Sequence, residues 1–273
     1  MTYEPVYTQT PRNAFVPSPV FVGIVAIFAV SGVMTWTGFG NVRVDVFLFI
    51  VSGWLVSLCL HEYAHAVAGY FSGDRSVADR GYLRLNPLKY TSPLLSIVLP
   101  VVVVILGGIG LPGGAVWIDH RHINSRAKDS LISATGPLTN VILALVAAVP
   151  FLAGLGPGLL DDGAQTVLVG GHGEFWAALA LLTFLQITTS VLNLLPIPGL
   201  DGGGIIAPWM SPAYQRAWNL FAPYGFILLF LALWQTSLGQ YFYDLVFWFS
   251  RLLGVSPALV SEGLSLMRFW SGA

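Results

Sequence analysis

The sequence predicts an all-α polytopic membrane protein with about six transmembrane helices and a re-entrant or extended segment between the second and third. Three observations support this fold class. The 273 residues are 55% hydrophobic and 9% charged, whereas an ordinary soluble domain is about 25% charged. Apolar runs of about 20 residues, the length that crosses a bilayer, recur along the chain. Lysine and arginine are concentrated in particular connecting segments, as in multi-pass membrane proteins.

The apolar runs give the candidate spans. They lie at 19–37, 45–71, 130–155, 174–196, 220–238 and 242–254, and the last is short. The first run follows mostly polar residues without a small-residue cleavage pattern, so we interpret it as a retained helix rather than a signal peptide. Because no repeat or low-complexity segment divides the chain, the sequence predicts one membrane-embedded domain covering residues 1–273.

Charge and cysteine content exclude several classes of protein. The net charge is -1 and the basic residues are scattered, so no surface for nucleic acid or another polyanion is expected. Cys59 is the single cysteine, which excludes an internal disulfide and is typical of a small apolar residue in a helix.

The basic residues also predict the orientation. Segments 73–93 and 113–129 carry lysine and arginine, whereas 156–173 carries none. The first two segments are therefore expected on the cytoplasmic side and the third outside. The apolar run 94–112 between the two cytoplasmic segments should then enter the membrane and return. Pro100 and four consecutive valines disfavour an uninterrupted helix there, although a complete extra helix is the alternative that its length permits.

The motif HEYAH, residues 61–65, lies within the second apolar run. On a helix, His61 and His65 lie one turn apart on the same face, so both imidazoles can reach one metal ion. Glu62 lies off that face, where a general base is needed. A charged residue at the centre of a membrane helix costs about 2.5 to 3.5 kcal/mol, so such residues are functional candidates. The sequence predicts one Zn²⁺ per chain, with a hydrogen-bonded polar cluster as the structural alternative.

A catalytic zinc usually has three protein ligands and an open position. Asp201, in NLLPIPGLDGGG, follows the fourth predicted span at its cytoplasmic end, where prolines stop the helix and glycines allow an irregular turn. We therefore expect Asp201 to be the third ligand, with a turn or helix-cap role as the alternative. His120 and His122 are expected to be solvated loop residues, and His172 lies at the external end of a span.

Several segments, in this order, resemble the site-2 proteases, a family of intramembrane zinc metalloproteases. They are HEYAH, SGD at 72–74, GYLRLNPLKY at 81–90, GPLTN at 136–140 and NLLPIPGLDGG at 193–203. Together they cover roughly half the chain. GPLTN alone is a weak motif, whereas the ordered set is specific.

The resemblance implies a three-helix catalytic core, within about 45–205, around a zinc ion. It assigns His61, His65 and Asp201 as ligands and Glu62 as general base and acid. Peptide hydrolysis is the reaction that such a set performs, because zinc activates water and Glu62 moves the proton.

The resemblance also implies that Asn140 and Asn193 hold the substrate or the developing oxyanion. From the residues alone, both would be expected to form interhelical hydrogen bonds. The implied partners are the lipid bilayer and a transmembrane protein substrate. The implied location is the plasma membrane, with the active site toward the cytoplasm.

The stretch LPGGAVWID, residues 111–119, departs from the family pattern, because it lacks the Lys-Pro pair that follows the aromatic residue in relatives. An extended segment at 114–119 that presents substrate is therefore less well supported than the zinc site. The length leaves no room for a PDZ or nucleotide-sensing module, so the compact form is expected.

Two other classes of function compete with proteolysis. One is a metal-binding membrane transporter, because transporters combine broken helices with intramembrane charges. The other is an inactive scaffold related to the proteases. Glu62 favours hydrolysis over both, since neither transport nor scaffolding needs an acid that is not itself a metal ligand.

Overall fold

The computed structural model describes residues 12–90, 116–161, 166–268 and 270. In this part of the chain the main elements are nine α-helices and one short β-hairpin. The helices are α1 Pro19–Thr37, α2 Val42–Ser72, α3 Ser76–Asp79, α4 Arg126–Leu152, α5 Gly173–Asn193, α6 Asp201–Ile206, α7 Pro212–Gln235, α8 Leu238–Leu252 and α9 Pro257–Met267. Single 3₁₀ turns occur at Tyr82–Arg84, Pro87–Lys89, His120–His122 and Ala207–Trp209.

The ends of the first two helices follow from local sequence. The hydroxyl of Ser18 caps α1, and Pro19 occupies its first turn, where a missing N–H costs nothing. The helix ends at Gly38, whose φ of +67° is left-handed. Asn41 caps the start of α2 through its side-chain oxygen, and Gly73 ends α2 with a φ of +135°.

Four helices, α1, α2, α4 and α5, are each long and apolar enough to cross a membrane. Two further segments are bent: α7 by 60°, and the pair α8 and α9 by 108°. If each bent segment is counted as one span, the total is six. The prediction of an all-α multi-pass membrane protein with about six spans is therefore confirmed.

The structure adds details that the apolar runs did not predict. Helix α7 begins earlier than expected, at Pro212, and contains Pro223, which removes an intrahelical hydrogen bond close to the bend. Helix α9 has 11 residues and is too short to be recognised as a span. The expected external connection contains the antiparallel strands β1 Gly158–Asp161 and β2 Thr166–Val169.

Helix α2 lies at the centre of the bundle and packs against α1, α4, α5 and α9. Its Val46 and Ile50 are completely buried. The approach is closest at Gly53, where an added Cβ would lie 2.7 Å from a ring carbon of Phe28 in α1 and 2.9 Å from a methyl group of Leu182 in α5. A small residue at position 53 is therefore what lets three helices meet.

The apolar run 94–112, predicted to be re-entrant, lies outside the described residues. The segments on either side of it meet at one end of the bundle. The backbone N–H of Asp119 donates to the carboxylate of Asp74 at 2.7 Å. The carbonyl oxygen of His122 lies 2.6 Å from where a Cβ on Gly73 would stand. The connections after α2 and before α4 thus share one end of the bundle.

Replacement of Gly53 by leucine should destabilise the bundle, because Phe28 and Leu182 already occupy the space. Overpacking of this kind costs about 1 to 3 kcal/mol, which corresponds to a decrease of roughly 2 to 12 °C in melting temperature for a protein of this size. The measurement is thermal unfolding of the purified protein in detergent. Gly23→Leu is the matched control, because nothing lies within 4 Å of a Cβ at position 23 of α1. Equal melting temperatures for the two variants would contradict the packing argument.

Candidate metal centre

Three side chains that can bind a metal converge at the end of the bundle where α2 ends and α4 begins. The Nε2 atoms of His61 and His65 lie 3.1 Å apart. The carboxylate of Asp201 lies 3.1 Å from Nε2 of His61 and 3.3 Å from Nε2 of His65. In the described part of the chain, this is the one group of three such side chains whose ligand atoms all lie within 4.8 Å of one another.

The geometry of this group fits zinc. Ligands at about 2.0 to 2.1 Å in a tetrahedron are separated from each other by about 3.3 Å, close to the three distances observed. Two imidazole nitrogens and one carboxylate oxygen form a ligand set that is common for catalytic zinc. The three side chains predicted from the sequence as ligands are therefore together and correctly spaced.

The two histidines lie side by side because they are one turn apart in α2. The aspartate reaches them through a turn in the chain. Asp201 is the first residue of α6 and follows the irregular segment that leaves the end of α5. Gly199 has a φ of +89° in this segment. Gly203 lies so close to the backbone of Ile197 that an added Cβ would be 2.0 Å from its carbonyl oxygen. Glycines allow the chain to fold back and return Asp201 to the bundle.

Gly136 in α4 faces the space between the ligands. A Cβ at this position would lie 2.3 Å from Nε2 of His65 and 2.6 Å from Nε2 of His61. Both distances are far shorter than a non-bonded contact, so a side chain here would fill the space in front of the two nitrogens, where a metal would bind. The glycine of the GPLTN motif thus leaves room for the ion.

Each histidine is oriented through its other ring nitrogen. Nδ1 of His65 lies 2.7 Å from the carbonyl oxygen of Ile132 in α4, which can only accept a hydrogen bond. Nδ1 of His61 lies 2.5 Å from the side-chain oxygen of Asn140. Both Nδ1 atoms donate in this arrangement, and both Nε2 lone pairs remain for a metal.

Asn140 belongs to a buried polar network between three helices. Its Nδ2 donates to Oε1 of Gln186 in α5 at 2.8 Å and to the hydroxyl of Ser57 in α2 at 3.2 Å. The interhelical hydrogen bonds expected from the residue type are therefore present. Contact with substrate, the role that the resemblance implies for Asn140, stays a prediction.

Asn193 is the last residue of α5 and is buried, with 3% of its surface exposed. It lies at the end of α5 from which the segment leading to Asp201 leaves. Its predicted contact with substrate or oxyanion also stays a prediction.

Glu62 is buried beside the ligands without belonging to their group. Its Oε1 lies 4.0 Å from Nε2 of His61. Its Oε2 accepts a hydrogen bond from the backbone N–H of Val116 at 3.0 Å. One carboxylate oxygen is therefore held by the backbone, and the other faces the metal position.

The segment 116–119 runs beside the last turns of α2. Ile118 packs against Gly69, where an added Cβ would lie 2.9 Å from the isoleucine side chain. Asp74, the aspartate of the SGD motif, is completely buried. It accepts hydrogen bonds from the backbone N–H groups of Ser76 and Asp119. Asp74 thus fixes the segment that holds Glu62.

A cleft of about 220 Å³ opens at the ligands and provides access to them. Its walls include Glu62, His65, Asp201, Val116, Ile118 and His120. A larger cavity of about 500 Å³ between α4, α5 and α8 has almost entirely apolar walls and no ionisable side chain. Of these two cavities, the smaller cleft is therefore the one whose walls carry ionisable side chains.

Outside the membrane helices, two charged groups near the cleft have shifted pKa values. A hydrogen bond from Arg121 lowers the pKa of Asp119 to about 2. A hydrogen bond to Asp129 raises the pKa of His120, whose side chain is 60% exposed at the cleft wall. His120 is solvated as predicted, and it also lines the cleft. His172 is elsewhere and stacks on Trp36.

Sequence reasoning missed four contributors to this site. They are Ser57, Gln186, the N–H of Val116 and the space left by Gly136. Gln186 could have been noticed, because an amide in the apolar helix α5 needs a partner. The contribution of Val116 comes from its backbone, so its side chain gave no signal.

Comparison with known proteins agrees with this geometry. The family model described as Peptidase family M50 matches residues 49–232. A relative from Mycolicibacterium smegmatis, with the provisional name zinc metalloprotease Rip2, is 44% identical over 95% of this chain and 96% of its own length. A relative of the same name from Mycobacterium tuberculosis strain H37Rv is 40% identical over the same shares of the two chains.

A more distant relative supports the same assignment. A protein from Bacillus subtilis, provisionally named zinc metalloprotease YwhC, is 31% identical over 71% of this chain and 83% of its own length. No solved structure matches the chain. The family model covers more than half of the sequence, and the relatives match it over most of their length. The chain therefore belongs to peptidase family M50, the site-2 protease family of zinc metalloproteases.

Proposed function

We propose that this chain is an intramembrane zinc metalloprotease that hydrolyses a peptide bond within or near the transmembrane segment of a membrane protein. The observation that carries the proposal is the position of Glu62. Its carboxylate lies 4.0 Å from Nε2 of His61 and outside the group formed by His61, His65 and Asp201. Binding of a metal alone does not need this acid, whereas hydrolysis needs a base beside the metal.

In this proposal His61, His65 and Asp201 hold one Zn²⁺. When bound, zinc supplies Lewis-acid activation of water and of the scissile carbonyl. The backbone carbonyl oxygen of Ile132 and the side-chain oxygen of Asn140 accept hydrogen bonds from the histidine Nδ1–H groups, so neither imidazole needs to reorient during the reaction.

Glu62 moves the proton. Its Oε1 accepts a proton from the attacking water, and the same carboxyl group then returns the proton to the leaving amine. The hydrogen bond from Val116 to Oε2 holds the carboxylate plane during both steps. A restrained base loses little orientational freedom when the substrate enters.

The proposed substrate is a membrane-spanning protein, because the M50 family acts on substrates embedded in the bilayer. A helix hides its carbonyl groups in internal hydrogen bonds, so the substrate must unwind locally before hydrolysis. Asn193 is proposed to contact the freed backbone near the cleft. The segment 116–119 is proposed to lie beside an extended substrate.

The remaining parts of the proposal concern location and organisation. The chain is proposed to reside in the plasma membrane as a single domain, with a catalytic core at about 45–205. The cleft is proposed to open toward the cytoplasm, because the connections that flank it carry the basic residues.

Zinc binding should depend on Asp201 and on the space at Gly136. Purified wild-type protein should contain about one zinc per chain. Asp201→Ala removes a ligand, and Gly136→Ala places a methyl group in the metal position while favouring the helix, so both should lower zinc content several-fold. Elemental analysis of the purified proteins decides this, with Gly23→Ala as the control. Full zinc content in Gly136→Ala would show that the ion lies elsewhere.

Glu62→Gln should separate catalysis from metal binding. The substitution keeps the shape of the side chain and removes the base, so cleavage should fall by a factor of about 100 or more. Zinc content and melting temperature should stay at wild-type values. Membrane proteomes of cells carrying either form are compared, and a single-pass protein truncated only by the wild type is the expected result.

The rate at which this substrate is cleaved is then measured with purified proteins in detergent. Wild type, Glu62→Gln and Glu62→Asp are compared at equal zinc content. Near-normal cleavage by zinc-loaded Glu62→Gln would refute the role of Glu62 as the base. Absence of any protein truncated by the wild type would count against proteolysis itself.

The proposed orientation predicts which positions are accessible from the cytoplasm. In a Cys59→Ser background, cysteines at Ser76 and Ser125 should resist an impermeant thiol reagent in intact cells and react after permeabilisation. A cysteine at the exposed Gly171 should react in intact cells. The opposite pattern would place the cleft on the external face.

A further inference from the structure

Three buried polar side chains lie behind His61, on the side away from the metal position. Ser57, Asn140 and Gln186 come from α2, α4 and α5, and between 1% and 4% of each is exposed. They are joined to one another and to His61 by four hydrogen bonds. Burying such polar groups inside an apolar bundle lowers the stability of the fold unless each donor is paired with an acceptor.

The two histidines are held by different kinds of acceptor. His65 is bonded to the backbone carbonyl of Ile132, which fixes the proton on its Nδ1. His61 is bonded to the amide of Asn140, and an amide group can present either its oxygen or its NH₂ group. The tautomer of His61 therefore depends on what orients Asn140.

Oε1 of Gln186 supplies that orientation. It accepts hydrogen bonds from Nδ2 of Asn140 and from the hydroxyl of Ser57, each at 2.8 Å. The Ser57 oxygen in turn accepts from Nδ2 of Asn140 at 3.2 Å. With both NH₂ hydrogens directed at these acceptors, the oxygen of Asn140 faces His61.

We propose that Gln186, together with Ser57, is a positioning residue that sets the amide orientation of Asn140 and thereby the metal-binding tautomer of His61. The inference rests on the proposed function in that His61 must be a zinc ligand. Without an acceptor at position 186, Asn140 can turn its NH₂ group toward His61. Nδ1 then accepts, the proton moves to Nε2, and that nitrogen no longer has a lone pair for the metal.

Loss of such an outer partner typically weakens metal affinity by about 10 to 100-fold. Gln186→Leu, which removes the acceptor, should therefore weaken zinc affinity by about that factor. Gln186→Glu keeps an acceptor at the same place and should stay within about 3-fold of wild type. The contrast between the two variants distinguishes loss of the acceptor from a general defect in packing.

The experiment measures zinc affinity of the purified, detergent-solubilised full chain by competition with a chelator of known affinity. Thr188→Val is the matched control, because Thr188 is completely buried in the same helix and its hydroxyl donates to the carbonyl of Phe184 within that helix. The control should bind zinc as the wild type does. Melting temperatures are measured on the same preparations.

Wild-type affinity in Gln186→Leu would overturn the proposal, as would equal weakening in Gln186→Leu and Gln186→Glu. If Gln186→Leu does not fold, Ser57→Ala takes its place, because it removes one hydroxyl from the network and should weaken zinc binding by a smaller factor. Unchanged affinity in Ser57→Ala would then overturn the proposal.

The outcomes also separate this inference from the proposed function. If the wild type binds no zinc, or Asp201→Ala binds it equally well, the assigned metal site is wrong and the inference fails with it. If the affinities follow the expected order but no membrane protein is cleaved, the positioning role of Gln186 stands and proteolysis does not.

Discussion

The structure depends on one constraint, which is that a polar site must be completely hydrogen-bonded inside an apolar helix bundle. A buried polar group without a partner costs about 1 to 3 kcal/mol. The Nδ1 atoms of His61 and His65 therefore bond to α4, and the amide of Asn140 bonds onward to α5. These hydrogen bonds fix α2, α4 and α5 relative to one another. The same hydrogen bonds therefore hold the three helices together and orient the metal ligands.

The second requirement is space, and small residues provide it at the points of closest approach. Gly53 lets α1 and α5 close on α2, Gly136 leaves the metal position open, and Gly69 receives Ile118. Each is a position where a Cβ would lie under 3.0 Å from a neighbouring atom. In lipid, where helices gain little from burying apolar surface against each other, such close contact is a principal source of stability. Glycines thus serve both purposes at different positions, with Gly53 in the packing of the bundle and Gly136 in the shape of the site.

Much of this arrangement could be predicted from the sequence, because its signals are local or periodic. Apolar runs located α1, α2, α4 and α5, and the H-E-x-x-H spacing located the two histidines. The pairing of Asp201 with them was also predictable, since prolines and glycines mark the turn that brings it back. The bend in α7, the short helix α9 and the hairpin between α4 and α5 were not predicted. Hydrophobic length does not report them, because the bend lies close to a proline inside α7, α9 has only 11 residues, and the hairpin consists of two four-residue strands.

The hydrogen-bonded network behind His61 also could not be predicted from the sequence. Ser57 and Gln186 are 129 positions apart, and neither belongs to a motif with a known spacing. Their partnership arises only when α2 and α5 pack. The N–H of Val116 is still harder to predict, because every residue except proline has one. The sequence thus identifies the groups that perform chemistry, and the fold identifies the groups that orient them.

The length of α2 explains why such a site can work in a membrane. Its 31 residues extend over roughly 46 Å, well beyond a hydrocarbon core of about 30 Å. His61 lies roughly 28 Å along the helix from Val42, so the ligands are near the far boundary of the core if the core begins at the start of α2. The last turns of α2 continue past this boundary and hold the segment 116–119, while the solvated His120 lines the same cleft. The cleft therefore gives water a short path to Glu62.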